Sequence, residues 1–241
     1  MSEAHTVTAF DDELKEIGGY VAQIGGMSER MIDEAMASLT RADIERAAKV
    51  IEEDAKIDHL QREVEDKAIL MIARRQPMAQ DLREIVAAIR IASDLERVGD
   101  LAKNIAKRVI ALRGQFQPKS LMHGVEHLAE LSLEQLKNVL DAYGSRDVDR
   151  ALAVWQRDKE IDALYTSLFR ELLTYMMEDP RNIGFCTHLL FCAKNIERIG
   201  DHATNIAETV YYQITGDTLT DERPKNDTSV AATLDLPQTD D

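Results

Sequence analysis

Apolar side chains recur along most of this chain on alternating steps of four and three. Phe10, Leu14, Ile17, Val21, Ile24, Met31 and Ala35 make the first such seam, with Ser28 as its one polar interruption. That spacing marks a helix packed nearly parallel to its neighbours, and it predicts a first helix over about residues 11–40. Asp43 or Thr40 can cap a second helix that runs to about residue 75. Gln76-Pro77 interrupts it there, because the residue before a proline is pushed out of the helical region. A third helix over about 78–113 turns Ile85, Ile89, Ala92, Leu95, Gly99, Ala102, Ala106 and Val109 inward and ends at Arg113-Gly114.

The second half repeats this plan. Helices are predicted over about 119–143, 147–178 and 181–214, stopping near Tyr143-Gly144, before Asp179-Pro180 and at Thr215-Gly216. Their apolar faces carry Leu121, Val125, Leu128, Leu131 and Val139, then Trp155, Leu164, Leu168 and Leu172. Short connections between long helices force antiparallel neighbours. The expected fold is therefore all-α: two tandem antiparallel three-helix bundles, elongated because a helix of this length spans roughly 50 Å at about 1.5 Å per residue. The expected units are residues 8–114, residues 119–215 and an acidic, flexible tail over 216–241.

The two halves are copies in sequence as well as in pattern. Residues 94–106, Asp-Leu-Glu-Arg-Val-Gly-Asp-Leu-Ala-Lys-Asn-Ile-Ala, return 101 positions later as Asn-Ile-Glu-Arg-Ile-Gly-Asp-His-Ala-Thr-Asn-Ile-Ala. Asp54 and Asp58 return at an offset of 104 as Asp158 and Asp162, and the helix opening at Asp43 returns at Asp147 with the same offset. The three-residue difference between offsets falls in the connections near Pro77 and Pro180.

Each copy keeps two carboxylates four residues apart with a glycine between them. Like charges at that spacing destabilise a helix by roughly 0.2–0.5 kcal/mol, and an interior glycine costs about 1 kcal/mol against alanine. A feature that costs stability twice at matching places calls for a compensating role. On a helix Glu96, Asp100 and Asn104 form one row of oxygen donors, and Asp54 and Asp58 form another on the preceding helix. The two pairs lie equally far from the intervening turn, so they should come level, as should Asp158 and Asp162 with Glu197, Asp201 and Asn205.

Facing carboxylates cannot all stay ionised without a counter-charge, which a bound cation or the arginines Arg97 and Arg198 would supply. An oxygen-only donor set suits hard cations. His59 and His202 each directly follow an acid and so are turned off the rows. Gly99 and Gly200 each stand just before the second acid, where a missing side chain lets a neighbouring helix approach. The glycine pairs Gly18-Gly19 and Gly25-Gly26 mark a close helix contact, inside the molecule or at a dimer seam.

Charge narrows the range of partners. The net charge of −15 at pH 7 excludes binding to nucleic acid or to an anionic membrane surface, since both depend on clustered positive charge. The tail beyond Gly216 carries a net five of those negative charges. No apolar run is long enough to span a bilayer and the start lacks the features of a signal peptide, so a cytoplasmic location without membrane insertion is expected. Cys186 and Cys192, six apart, do not share a helix face and read as small buried hydrophobes.

Four repeated pairs of an acid, three residues and an aspartate, with Glu-Arg-Val-Gly-Asp at 96–100 and Glu-Arg-Ile-Gly-Asp at 197–201, resemble the PhoU family of phosphate-uptake regulators. The segment Arg-Arg-Gln-Pro-Met-Ala-Gln-Asp-Leu-Arg at 74–83 resembles that family's turn between its second and third helices. The resemblance covers roughly residues 8–215. It implies a cytoplasmic, non-enzymatic homodimer that represses the phosphate-starvation response. It further implies coupling of the phosphate ABC transporter, through its ATPase subunit PstB, to the sensor histidine kinase PhoR. By the same resemblance Asp54, Asp58, Glu96, Asp100, Asp158, Asp162, Glu197 and Asp201 are ligands for iron, zinc, manganese or magnesium. Aspartate instead of glutamate opens the pairs at 54 and 158, which shortens their reach. Two other readings of the acids remain: a helical adaptor that needs no metal, and a carboxylate-bridged metalloenzyme. Against the last, no nucleophile, base and orienting group are set out together.

Overall fold

The computed structural model describes residues 2–112 and 119–219. The expected helix stop at Arg113-Gly114 and the tail beyond residue 219 lie outside the described residues. Six long helices follow one another: α1 (Ser2–Arg41), α2 (Ile44–Arg75), α3 (Gln80–Leu112), α4 (Lys119–Ser145), α5 (Val148–Glu178) and α6 (Ile183–Thr215). A single 3-10 turn, Pro180–Asn182, leads into α6, and no strand occurs among the described residues.

The ends of these helices repeat the duplication in detail. Asp43 and Asp147 each accept a hydrogen bond from the backbone N–H three residues on, Arg46 and Arg150, both at 3.0 Å. Each cap follows a residue with positive φ, Ala42 at 52° and Arg146 at 54°. α4 therefore runs past Gly144, and the left-handed position falls on an arginine where the sequence suggested the glycine. A non-glycine side chain there costs about 1 kcal/mol, and Arg146 has a tertiary partner, Glu84, at 2.5 Å.

The two bundles lie side by side. α3 packs against α6, α1 touches α4, and α2 and α5 flank the pair without touching each other. The central pair is antiparallel: Asp94 meets His202 at 2.8 Å, while Arg108 lies 4.3 Å over the Phe191 ring and Arg83 lies beside Gly216. Apolar residues of all six helices form one continuous core.

The polar break in the first seam has a tertiary cause. Ser28 is fully buried, and its hydroxyl lies 3.0 Å from the Ile24 carbonyl and 3.1 Å from that of Leu95 in α3. It ties α1 to the segment that carries Glu96. On α4 the seam runs through Ser132 and Gln135, both buried, and leaves Leu131 only partly covered. Leu131 sits one helical step to the side of that seam, and the Gln135 amide donates to the Arg157 carbonyl at 3.1 Å.

Two glycines set how closely the helices approach. A Cβ on Gly99 would stand 2.9 Å from Cδ1 of Ile57, and one on Gly200 would stand 2.6 Å from Cδ1 of Ile161, the equivalent residue. Gly25 meets Leu140 of α4 in the same way at 2.9 Å, so that pair has an intramolecular contact, whereas Gly19 faces open space. Gly200→Ala is expected to lower stability by about 1 kcal/mol, because overpacking outweighs the gain in helix propensity. Ile161→Val, which removes the clashing methyl, restores it, and Gly19→Ala raises stability by up to about 1 kcal/mol; urea unfolding of the three variants measures all of this.

Candidate functional site

The antiparallel run of α2 past α3 brings Asp54, Asp58, Glu96 and Asp100 level. Asp54 is buried and the other three are half-buried. Lys103, one turn beyond Asp100, reaches between the rows: its ammonium bonds Asp54 and lies 2.5 Å from Asp100 Oδ1. Burial works against the charge on Lys103, but the bonds to Asp100 and Asp54 outweigh it and hold its pKa above the ordinary value. Burial raises Asp54 although Lys103 pulls the other way, and Asp58 and Asp100 add repulsion. Glu96 is raised by burial first and then by Asp100, with Arg97 opposing.

The second copy is more deeply enclosed. Asp158, Asp162 and Glu197 are only 2%, 3% and 4% exposed, and Asp201 is half-buried. Thr204 stands where the first copy has Lys103, and its hydroxyl donates to Asp158 Oδ1 at 2.9 Å. The cation here comes from the opposite side of the motif: Lys194 donates to Glu197 Oε1 at 2.8 Å and lies 4.9 Å from the centre of the Tyr165 ring. Burial pushes Glu197 up to about 7 against the pull of Lys194, and Asp201 and Asp162 push the same way. Its second oxygen, Oε2, is buried without a hydrogen-bond partner.

The arginines Arg97 and Arg198, read as the alternative to a bound cation, stay outside the acid rows, although Arg97 pairs with Glu96. Both arginines project from the outer faces of their helices: Arg97 approaches Glu96 only to 3.6 Å with its side chain 61% exposed, and Arg198 is exposed. Each directly follows the glutamate of its motif, so the helix turns it about 100° away from the acid row. Lys103 and Lys194 supply the counter-charge instead, each three residues from an acid of the motif on the same helix. That spacing was readable in the sequence. Neither histidine joins the rows, since His59 is exposed and His202 turns to Asp94. Cys186 and Cys192 are buried and unpaired, and burial pushes the Cys192 thiol up to about 12, which suits packing and not metal binding.

The PhoU domain family matches residues 21–109 and 125–210, one match in each copy of the repeat. This chain belongs to the PhoU domain family. It is 60% identical over 227 residues to the phosphate-specific transport system accessory protein PhoU homolog of Rhizobium meliloti (strain 1021), covering 94% of this chain and 96% of that protein. It is 49% identical to the homolog of the same description from Caulobacter vibrioides (strain NA1000 / CB15N), over 92% of this chain and 97% of that protein. The crystal structure of PhoU from Pseudomonas aeruginosa superposes with a TM-score of 0.84 at 38% identity, over 86% of this chain and 100% of that one. PhoU from Streptococcus pneumoniae gives 0.80 at 29% identity, over 87% and 99%.

Among the described residues, no group of three or more His, Cys, Asp or Glu side chains is arranged to hold a metal ion. The two copies of the PhoU repeat nevertheless differ in how well they suit one. In the first, an ammonium already bridges the two rows. In the second, the orphaned Oε2 of Glu197 is a buried donor among further carboxylates, which fits a hard cation. In protein stripped of metal, Glu197 holds its proton up to about pH 7 when folded, against 4.5 in the unfolded chain. The folded state binds that proton more tightly, so stability is expected to fall as pH rises from about 4.5 to about 7 and then to level off. The loss is on the order of 3 kcal/mol. Urea unfolding in chelator at about pH 5 and about pH 8 measures it, and Glu197→Gln flattens the difference.

Proposed function

We propose that this chain is a non-enzymatic regulator of phosphate uptake that acts by docking to other proteins. It couples the ATPase subunit of the phosphate transporter, PstB, to the sensor histidine kinase, PhoR, and represses the phosphate-starvation response when phosphate is plentiful. The observation that supports this reading is the 60% and 49% identity, over more than nine-tenths of the chain, with homologs described as accessory proteins of phosphate-specific transport systems. No helix among the described residues is long and apolar enough to cross a membrane. The reading places the chain in the cytoplasm as a homodimer.

The acid rows are the proposed metal sites, with Asp158, Asp162, Glu197 and Asp201 as the principal set and Asp54, Asp58, Glu96 and Asp100 as the set already served by Lys103. Iron, zinc, manganese and magnesium are the candidate ions. A bound cation would supply the positive charge that these carboxylates need in order to stay ionised together. The chain's own part is to hold the rows level, through Gly99 against Ile57 and Gly200 against Ile161, and to shield them from water by burial.

Metal analysis of protein purified without chelators is expected to find a tightly bound ion that is lost in the Asp162→Asn/Glu197→Gln double variant. Metal-free protein with full regulatory activity would favour the metal-independent adaptor. Charge reversal at Glu96 and Glu197 is expected to raise a phosphate-starvation reporter several-fold in high phosphate, with helix content by circular dichroism nearly unchanged. A reporter that stayed repressed would separate signalling from the acid rows.

A further inference from the structure

A cleft of about 750 Å³ opens between the first half of α1 and the end of α4, away from the acid rows. Its far wall is the start of α3, and Gln213 of α6 also lines it. We propose that this cleft seats a basic segment of a protein partner, with apolar side chains as anchors and lysine or arginine reaching the acids around it. The proposal rests on the reading of the chain as a docking regulator and names the surface and the chemistry of what docks.

Three observations carry it. Gly18 and Gly26 of α1 and Gly144 of α4 all line the cleft, and a Cβ on any of them would meet nothing within 4 Å. An interior helix glycine costs about 1 kcal/mol, and at Gly18 and Gly26 no packing inside the molecule accounts for it, in contrast to Gly25, Gly99 and Gly200. They leave backbone exposed as a smooth wall for a guest. Gln213 is 6% exposed, and its side-chain oxygen is buried without a hydrogen-bond partner. An orphaned acceptor on a residue that lines a cleft calls for a donor, which an ammonium, guanidinium or backbone N–H supplies.

The balance of charge is negative. Glu84 is already bound to Arg146, and Asp141 to Arg150 at 3.0 Å. That leaves Asp11, Glu29 and Asp81 against Lys15 among the lining residues. Phe10, Leu14 and Leu140 supply apolar wall. Such a surface takes a guest that is cationic and partly apolar. The acidic tail beyond Gly216 carries the wrong sign.

The test uses the full chain and a fluorescein-labelled helical peptide of leucine and arginine, with a leucine and glutamate peptide of equal length as control. Anisotropy is expected to show binding of the arginine peptide alone, weakened at least tenfold by Gly18→Leu and by Gly26→Leu, and unchanged by Glu197→Gln. Hydrogen exchange is expected to slow at residues 10–29 and 140–146 on binding and to stay unchanged at 54–58. Equal binding by the leucine variants with their fold intact, or protection confined to the acid rows, overturns the proposal. Because peptide binding is read directly, it decides the cleft even if the phosphate reporter shows the regulatory reading to be wrong.

Discussion

Carboxylates brought face to face between closely packed antiparallel helices are the constraint around which this molecule is organised. Each copy of the repeat presses an acid-bearing third helix onto an acid-bearing second helix, and a glycine on one helix receives an isoleucine from the other. The approach that fills the core also takes the acids partly or wholly out of water, which raises the free energy of their charged forms. Positive charge must therefore come to the rows. In the first copy it comes from Lys103 in the middle, and in the second Lys194 reaches Glu197 from one side.

The duplicated halves have thus diverged at their chemical centre while keeping their scaffold. Aspartate caps, positive-φ residues before them, glycine and isoleucine contacts and buried seam serines recur at matching positions. Lys103 has become Thr204, and the ammonium bond to Asp54 has become a hydroxyl bond to Asp158. A neutral donor satisfies a lone pair of Asp158 without cancelling its charge. The side-by-side packing of α3 and α6 joins these unequal sites through one continuous core.

The same packing creates a second surface of different character. Where α1 leans on α4 through Gly25 and Leu140, the helices touch; beyond that contact, toward Gly18 of α1 and Gly144 of α4, they part and leave the cleft. Metal chemistry at the acid rows and protein docking at the cleft would then be separate properties of one fold. They are joined only through the helices that build both.

Periodicity in the sequence determined the six helices, and the offsets of 101 and 104 determined that two copies of one unit exist. The level placement of the acid rows was legible too, because an antiparallel pair with a short turn leaves one register to residues equally distant from that turn. The counter-ions were less so: Lys103 and Lys194 stood at spacings of three from the acids, but which of several cations turns inward depends on where the neighbouring helix lies. The contact of α3 with α6, the bond from Ser28 to the Leu95 carbonyl and the cleft at Gln213 were decided by the tertiary structure alone. Local pattern records which face of a helix is buried. It does not record which other helix, far along the chain, will cover that face.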